Sequence, residues 1–540
     1  MSRSTLLTTL ALLAGLVLLV CLRLHTADEP LERDITIHAA IGNELLHGRN
    51  LYSDLWNHKP PASFFVHAAF IKVFGFGPQY VLAMNLVFNA LGLLLVFGLG
   101  LSFTRDRLVA VSVALLWALL SFDLNLQANQ PNSESLVNPL IVAGILIWYA
   151  VSERRLAIGW SLAAGALFFV VTYFKQQYVL VPMAIALALL MHAALFARAD
   201  IGHQFRATGL VALVGCVGWL LAFAVFWMQG SLQAFVEAAF LYNEGYGGDW
   251  LLNLKRSYWM GIFPAYFTSS LYPYIATAVL GLVGALLTRS WKLLLLMLAW
   301  SCATWMSVAL PGRFFGHYYQ LWIPPLLMGT ALCLHYLLRL PRVPAVAATV
   351  VVLGGLLGYT GMRTASDLSL PAHEWAVRKY PEDQFAEARA VGEALARVLP
   401  AQEKIFYFGR DPGVLLYGGL RPVNGKVYVR WYTDNQYSPP LLAHTEAQFA
   451  AGGFDVAVVH RSPASFGATG IASGLQRDFV LVPDCFPHNE VWVRRGSPYL
   501  EGLQSSLVPA SRELLPRYGE VPAGCEMTDS TLLSAEGRAL

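Results

Sequence analysis

Runs of about twenty apolar residues recur along the first two-thirds of the chain, the length that a lipid-crossing helix requires. They occupy 5–24, 80–103, 108–122, 135–151, 157–173, 178–197, 209–228, 269–287, 293–310, 321–338 and 343–361. This pattern predicts about eleven membrane spans. A further apolar run, 62–76, is short and reads as interfacial or re-entrant. The first run, Thr5–Leu22, follows Met-Ser-Arg-Ser and is longer than a signal-peptide core, so it reads as a retained signal anchor.

Past residue 361 the pattern changes. Glu382–Val398 carries Phe385, Ala388, Val391, Leu395 and Val398 at helical spacing. Short apolar runs follow at Lys404–Phe408, Lys426–Trp431, Asp455–Val459, Phe479–Val482 and Glu490–Val493, with a short helix expected over Thr445–Ala451 ending at Gly452-Gly453. Strands interleaved with helices predict a small α/β domain. The expected organisation is therefore a mainly α, polytopic helical bundle over 1–361, with a soluble α/β domain over 362–540.

Basic residues orient the bundle. If the N-terminus is cytoplasmic, the inner connections carry Arg105 and Arg107, Arg154 and Arg155, Arg198 and Arg206, Arg289 and Lys292, and Arg339 and Arg342. Every one scores under the positive-inside rule. The opposite face then receives the long connections 25–61 and 229–268, the shorter one at 123–134, and the C-terminal domain. This is the layout of a multi-pass protein of a bacterial cytoplasmic membrane with its soluble domain outside. Within the second long connection, Gly247-Gly248 amid aromatic residues suits a mobile loop, or else an interfacial connector.

Composition agrees. Of the 540 residues 56% are hydrophobic and 13% charged, and the mean hydropathy is +0.51. The net charge of +3 gives no footprint for nucleic acid. Cys21, Cys216, Cys302 and Cys333 lie in apolar runs as packing residues, whereas Cys485 and Cys525 lie in the polar tail, where a disulfide is an open alternative.

Several polar residues stand where a membrane protein keeps few. Asp34, just beyond the first span, is either a general base or a helix-capping carboxylate. Lys59, held by Pro60 and Pro61, is either a fixed cation for a phosphate or a snorkelling lysine. Lys175 and Arg313 sit at the outer ends of spans, against the positive-inside bias, and are candidates for binding phosphate. Arg313 opens Arg-Phe-Phe-Gly-His-Tyr-Tyr-Gln, so His317, Tyr318 and Tyr319 offer donors to sugar or acceptor in the same turn. Glu134 can position an acceptor, bind a cation, or pair with Lys175 or Arg313. There is no Walker loop, no GxGxxG after a strand, no HExxH and no CxxC pair. A sugar nucleotide is poorly suited to an outward-facing site; a lipid-phosphate-linked sugar is well suited.

These motifs together resemble the GT-C superfamily: an exposed Asp34 after the first span, then Tyr52-Ser-Asp-Leu-Trp-Asn-His-Lys59-Pro-Pro61, then Arg313-Phe-Phe-Gly-His317-Tyr-Tyr319 before a Pro-Pro. The chain is similar in particular to bacterial relatives of the protein O-mannosyltransferases and of the lipid A aminoarabinose transferase. The likeness covers 1–361, with a softer echo in Phe406-Tyr-Phe-Gly-Arg-Asp-Pro-Gly-Val-Leu-Leu-Tyr. The resemblance implies a polyprenyl-phosphate-sugar donor, a protein, lipid or glycan acceptor, an extracytoplasmic active site and inversion at the anomeric carbon. It implies Asp34 as the catalytic aspartate and Lys59 as the lysine serving the carrier phosphate, and Glu134 falls near an acidic position after the third span. Many relatives carry a second acidic residue directly after the aspartate; here it is Ile35. No metal role and no cofactor is therefore expected at this loop. The competing reading is a polytopic transporter or flippase of lipid-linked or anionic substrates, against which stands the lack of an internal half-repeat.

Overall fold

The computed structural model describes residues 2–380, 385–432, 438–461, 463–483 and 486–514. The Cys485–Cys525 pair lies outside the described residues. Among these residues eight helices are long and apolar enough to cross a membrane: Arg3–His25, Pro78–Thr104, Ser133–Ser152, Gln176–Phe196, Arg198–Met228, Ala265–Leu287, Trp291–Ala309 and Arg342–Leu368. Three expected spans are shorter helices: Arg107–Leu120 of 14 residues, and Trp160–Phe174 and Ile323–Leu337 of 15 each. Their ends have local causes. Asp106 caps Arg107–Leu120 by accepting from the N–H groups of Leu108 and Val109. Trp160–Phe174 stops where Lys175 turns extended. Ile323–Leu337 begins with two prolines, which need no N–H partner there, after the 3-10 turn Gly316–Trp322. The run 62–76 forms the 13-residue helix Ala62–Phe74. Much of 229–268 is also helical, in Leu232–Val236, a π-turn at Glu237–Leu241, Tyr242–Gly247 and Trp250–Trp259.

The chain divides into two compact units. The first comprises Met1–Glu29, His58–Val66 and Gln79–Lys379. The boundary expected at 361 falls within helix Arg342–Leu368. Inside this unit, helices approach closely where side chains are small, the usual solution when neighbouring lipid offers no hydrophobic drive for association. Tyr272–Leu287 packs on Ile323–Leu337. A Cβ on Gly281 would lie 2.2 Å from the Gly329 carbonyl oxygen, and one on Gly329 would lie 2.5 Å from the Ala278 Cβ. Gly92 likewise lies beneath Trp117, and Gly144 beneath Phe168.

The second unit comprises Pro30–Asn57, His67–Pro78 and Tyr380–Leu540. Its sheet has the strands β1 (Lys404–Phe408), β2 (Arg421–Pro422), β3 (Val456–His460), β4 (Phe479–Leu481) and β5 (Asn489–Arg494), in the order β2-β1-β3-β5-β4. β1 runs parallel to β2 and β3, and β5 antiparallel to β3 and β4. Phe406, Phe408, Phe449, Phe454, Val459, Ile471 and Phe479 share its core. The helix expected over 445–451 runs Ser438–Ala451 and ends at Gly452 and Gly453, both with positive φ. The expected strand at Lys426–Trp431 is not one. β2 stops at Pro422, and the Asn424 side chain then takes the place of a ladder peptide, accepting from Tyr407 N at 3.0 Å and donating to Tyr407 O at 2.8 Å. The chain turns away and closes a 3-10 turn at Val429–Tyr432.

Within this unit the segment before residue 57 is built onto the C-terminal residues. Helix Arg33–Leu46 packs on helix Gly413–Gly418 and on β2. Glu44 pairs with Arg421 at 2.7 Å and with Arg49 at 3.4 Å, and Trp56 N donates to Gly425 O at 3.0 Å. Gly425 must be glycine, because a Cβ would lie 1.7 Å from the Asp54 carbonyl oxygen. Burial lowers the Lys426 ammonium from 10.5 to about 8, with Arg49 adding to the push.

Two outcomes are expected. Gly281→Val should force the helices Tyr272–Leu287 and Ile323–Leu337 apart and destabilise the first unit by about 1–3 kcal/mol, read as a lowered melting temperature in detergent. For Lys426 the folded value lies below the unfolded one. The unfolded chain therefore binds more protons between pH 8 and 10.5, and stability rises with pH across that window. Lys426→Met should remove this slope and stabilise the second unit at pH 7 by at most about 3 kcal/mol, measured by hydrogen exchange of the β1 and β3 amides.

Candidate active site

The first unit contains a polar segment that lies inside the apolar bundle. Every residue of 121–135 is buried except Asn125, which is half-buried. Buried polar groups persist only when partnered, and this segment is partnered from several sides. Arg23, 1% exposed, donates to the Ser121 carbonyl and to Asn85 Oδ1. Asn85 donates to the Asn129 carbonyl at 2.5 Å. Lys379 pairs with Glu29 at 2.5 Å and donates to Asn129 Oδ1 at 2.9 Å. Gln320 donates to the carbonyls of Leu126 and Gln127, both at 3.1 Å, and accepts from Ser135 at 2.6 Å.

This framework positions Glu134 in the first turn of helix Ser133–Ser152. Its Oε1 accepts from Lys175 Nζ at 2.5 Å and from the Tyr178 hydroxyl at 2.7 Å. The ammonium also lies 4.3 Å from the centre of the Tyr318 ring. His317 is close enough to act electrostatically on the Glu134 carboxylate, and its Nδ1 and its backbone N–H both face Gln127 Oε1, at 2.9 and 3.1 Å. Glu134, Lys175, His317 and Tyr318 therefore form one cluster, with Glu134 and Lys175 buried together. Of the roles open to Glu134, pairing with Lys175 is what the structure shows. Tyr319, adjacent in sequence, faces Phe267 instead.

A second grouping holds Arg313, which is exposed. Its Nη2 donates to the Tyr246 carbonyl at 2.9 Å, and its guanidinium lies 3.9 Å over the Tyr246 ring. Tyr246 and Tyr242 both pack against His58, with ring centres 4.9 and 5.6 Å away. Asn243 fixes the backbone of the same turn by donating to the His58 carbonyl at 2.6 Å. Half-buried Lys59 is the next residue, followed by buried Pro60 and Pro61. Arg313 thus caps an aromatic stack that His58, the residue before Lys59, joins.

Asp34 belongs to the second unit. It sits half-buried in the first turn of helix Arg33–Leu46, whose N-cap position is Glu32. Asp34 is therefore inside the helix, where its charge suits the helix N-terminus. Thr36 Oγ1, two residues on, donates to Asp411 Oδ1 at 3.0 Å.

Sequence reasoning missed Gln127, Gln320, Tyr178, Tyr246 and His58. Gln127 has φ +53°, a conformation that no local motif announces. Asp123 is buried beside Arg363 at 3.6 Å, and burial raises its carboxyl above the ordinary value against the pull of Arg363 and the Leu126 N–H. Among the described residues no group of three or more His, Cys, Asp or Glu side chains is set to hold a metal ion.

No family model and no curated protein matches the chain. Solved structures do. The crystal structure of ArnT from Cupriavidus metallidurans bound to undecaprenyl phosphate matches with a TM-score of 0.59 at 11% identity, covering 92% of this chain and 99% of that one. ArnT in the apo state matches with 0.59 at 13% identity, covering 91% and 98%. The archaeal oligosaccharyltransferase AglB from Archaeoglobus fulgidus, in complex with an inhibitory peptide and a dolichol-phosphate, matches with 0.53 at 11% identity, covering 96% and 78%. The chain shares the overall fold of these structures.

Glu134→Gln removes the carboxylate facing a buried ammonium. It should destabilise the first unit by about 3–5 kcal/mol, seen as a lower melting temperature in detergent. Combining it with Lys175→Met should recover most of the loss, because neither charge then remains buried.

Proposed function

We propose that this chain is an inverting membrane glycosyltransferase, moving a sugar from a polyprenyl-phosphate donor to a hydroxyl of a protein, lipid or glycan acceptor. The observation that carries this reading is the ArnT-like fold along nearly the whole chain, 92% of it covered, with charged and aromatic groupings built at the sequence positions its motifs single out. The basic pairs of the alternate connections favour a cytoplasmic N-terminus and an outward-facing site in the bacterial cytoplasmic membrane.

In this reading Asp34 accepts the proton of the acceptor hydroxyl as its oxygen bonds to the anomeric carbon. The bond from that carbon to the phosphate oxygen breaks on the opposite face, and its electron pair leaves with the polyprenyl phosphate. Lys59 and Arg313 meet the charge that develops on the leaving phosphate. Lys175 and Glu134 neutralise one another and hold Tyr178 and Tyr318 at fixed distances. His317, Tyr318 and Tyr319 offer donors to sugar or acceptor.

Purified protein in lipid, given radiolabelled polyprenyl-phosphate sugars and a membrane extract, should transfer label. Asp34→Asn should fold and insert but lose about 10²–10⁴-fold in rate, while Lys59→Ala should weaken use of the donor. Normal transfer by Asp34→Asn would remove the base. Movement of donor across the bilayer without transfer, in both proteins, would favour a transporter.

A further inference from the structure

The helix Trp250–Trp259 in the first unit is polar inside and apolar outside. Its buried residues are Asn253 and Ser257, one turn apart. Asn253 Nδ2 donates to the Gly247 carbonyl at 2.7 Å and to the Leu310 carbonyl at 3.0 Å, and Ser257 Oγ accepts from Trp305 Nε1 at 3.0 Å. Gly312 lies against Asn253, where a Cβ would collide with the amide. The inward face is thus fixed by hydrogen bonds. The outward face carries Trp250, Leu251, Leu252, Tyr258 and Trp259, from 46% exposed at Leu251 to 82% at Trp259. Water opposes that arrangement and lipid favours it. With 10 residues the helix is too short to cross a bilayer. It belongs to the connection between two helices of spanning length, Arg198–Met228 and Ala265–Leu287, which sets it at the level of the membrane surface.

Two cations share the outward face. Leu251, Lys255 and Tyr258 follow one another at i, i+4 and i+7, and Leu252, Arg256 and Trp259 do the same in the adjacent row. Each row therefore holds one aliphatic residue, one cation and one aromatic ring. Lys255 and Arg256 are both exposed, and among the described residues neither is in an ion pair. The Arg256 guanidinium lies 5.6 Å from the centre of the Phe314 ring, a neutral partner that leaves its charge in place. Asp249, the carboxylate at the start of the helix, is used as the cap and accepts from the Leu251 and Leu252 N–H groups. The positive-inside bias accounts for Arg198 and Arg206, and for Arg289 and Lys292, at the far ends of the two flanking helices. It does not account for two cations at the near ends.

We propose that helix Trp250–Trp259 is an interfacial anchor that binds anionic phospholipids. Its leucines and aromatic rings enter the boundary between headgroups and acyl chains, and Lys255 and Arg256 meet the lipid phosphates. The Asn253 hydrogen bonds pass this anchoring to the Leu310 carbonyl, three residues before Arg313. The proposal is independent of the chemistry that the chain performs.

The test is local capture of lipid. Full-length protein with a photoactivatable benzophenone side chain in place of Trp259 is placed in nanodiscs of phosphatidylcholine and phosphatidylglycerol in equal amounts, with one or the other radiolabelled, and irradiated. Both lipids should be captured, phosphatidylglycerol at least about threefold more than phosphatidylcholine. Lys255→Gln combined with Arg256→Gln should bring the two to parity without lowering total capture, whereas Lys255→Arg should keep the preference. Should the double variant fold poorly, the parent protein decides through salt: its preference should shrink between about 50 and about 500 mM NaCl. Equal capture of the two lipids by the parent protein at low salt, a salt-insensitive preference, or a preference kept by the folded double variant would overturn the proposal. So would an adduct with a second copy of the chain in place of lipid, which would make the face a protein interface, or no adduct at all, which would leave it in water.

Discussion

The first unit depends on keeping a polar segment inside an apolar bundle. Residues 121–135 carry Asp123, Gln127, Asn129, Gln130 and Glu134 at buried positions. Each would cost several kcal/mol if stripped of water without a partner. The partners come from helices distant in sequence: Arg23 and Asn85 from the first two long helices, Lys379 and Glu29 from the two margins of the unit, Gln320 and Lys175 from breaks between helices. Satisfying the segment fixes the register of these helices.

The candidate chemistry follows from that solution. Lys175 lies where two helices are broken, and its charge is met by Glu134 on a third. The same contact aligns Tyr178 and Tyr318. Arg313 lies over the Tyr246 ring, which packs on His58, the residue before Lys59. In the second unit, a helix from the segment following the first span is held by β2, by helix Gly413–Gly418 and by the 409–411 turn. The position of Asp34 is thus set by residues near the other end of the chain.

Much of this was legible in the sequence. Runs of about twenty apolar residues, bounded by basic pairs, mark the bundle, because lipid accepts little else. β1, β3, β4 and β5 follow from short apolar runs, and Gly452 and Gly453 end a helix as their composition suggests. The expected strand that did not form is informative. Lys426–Trp431 has strand composition, but Pro422 removes a donor and the Asn424 amide takes the ladder position, so the backbone leaves the sheet. Span lengths were less legible, because Phe174 and Leu120 are as apolar as their neighbours and the helices stop for reasons of packing and capping.

The sequence by itself determined the solvent of the first unit, the α/β character of the second and the short list of polar residues that needed explanation. Tertiary structure alone decided which of those residues meet. Glu134 and Lys175 are 41 positions apart, and nothing local distinguishes a carboxylate that will be neutralised by an ammonium from one that will face a substrate. Periodicity reports which face of an element is buried; charge pairing acts across elements, at distances that only the packed chain sets.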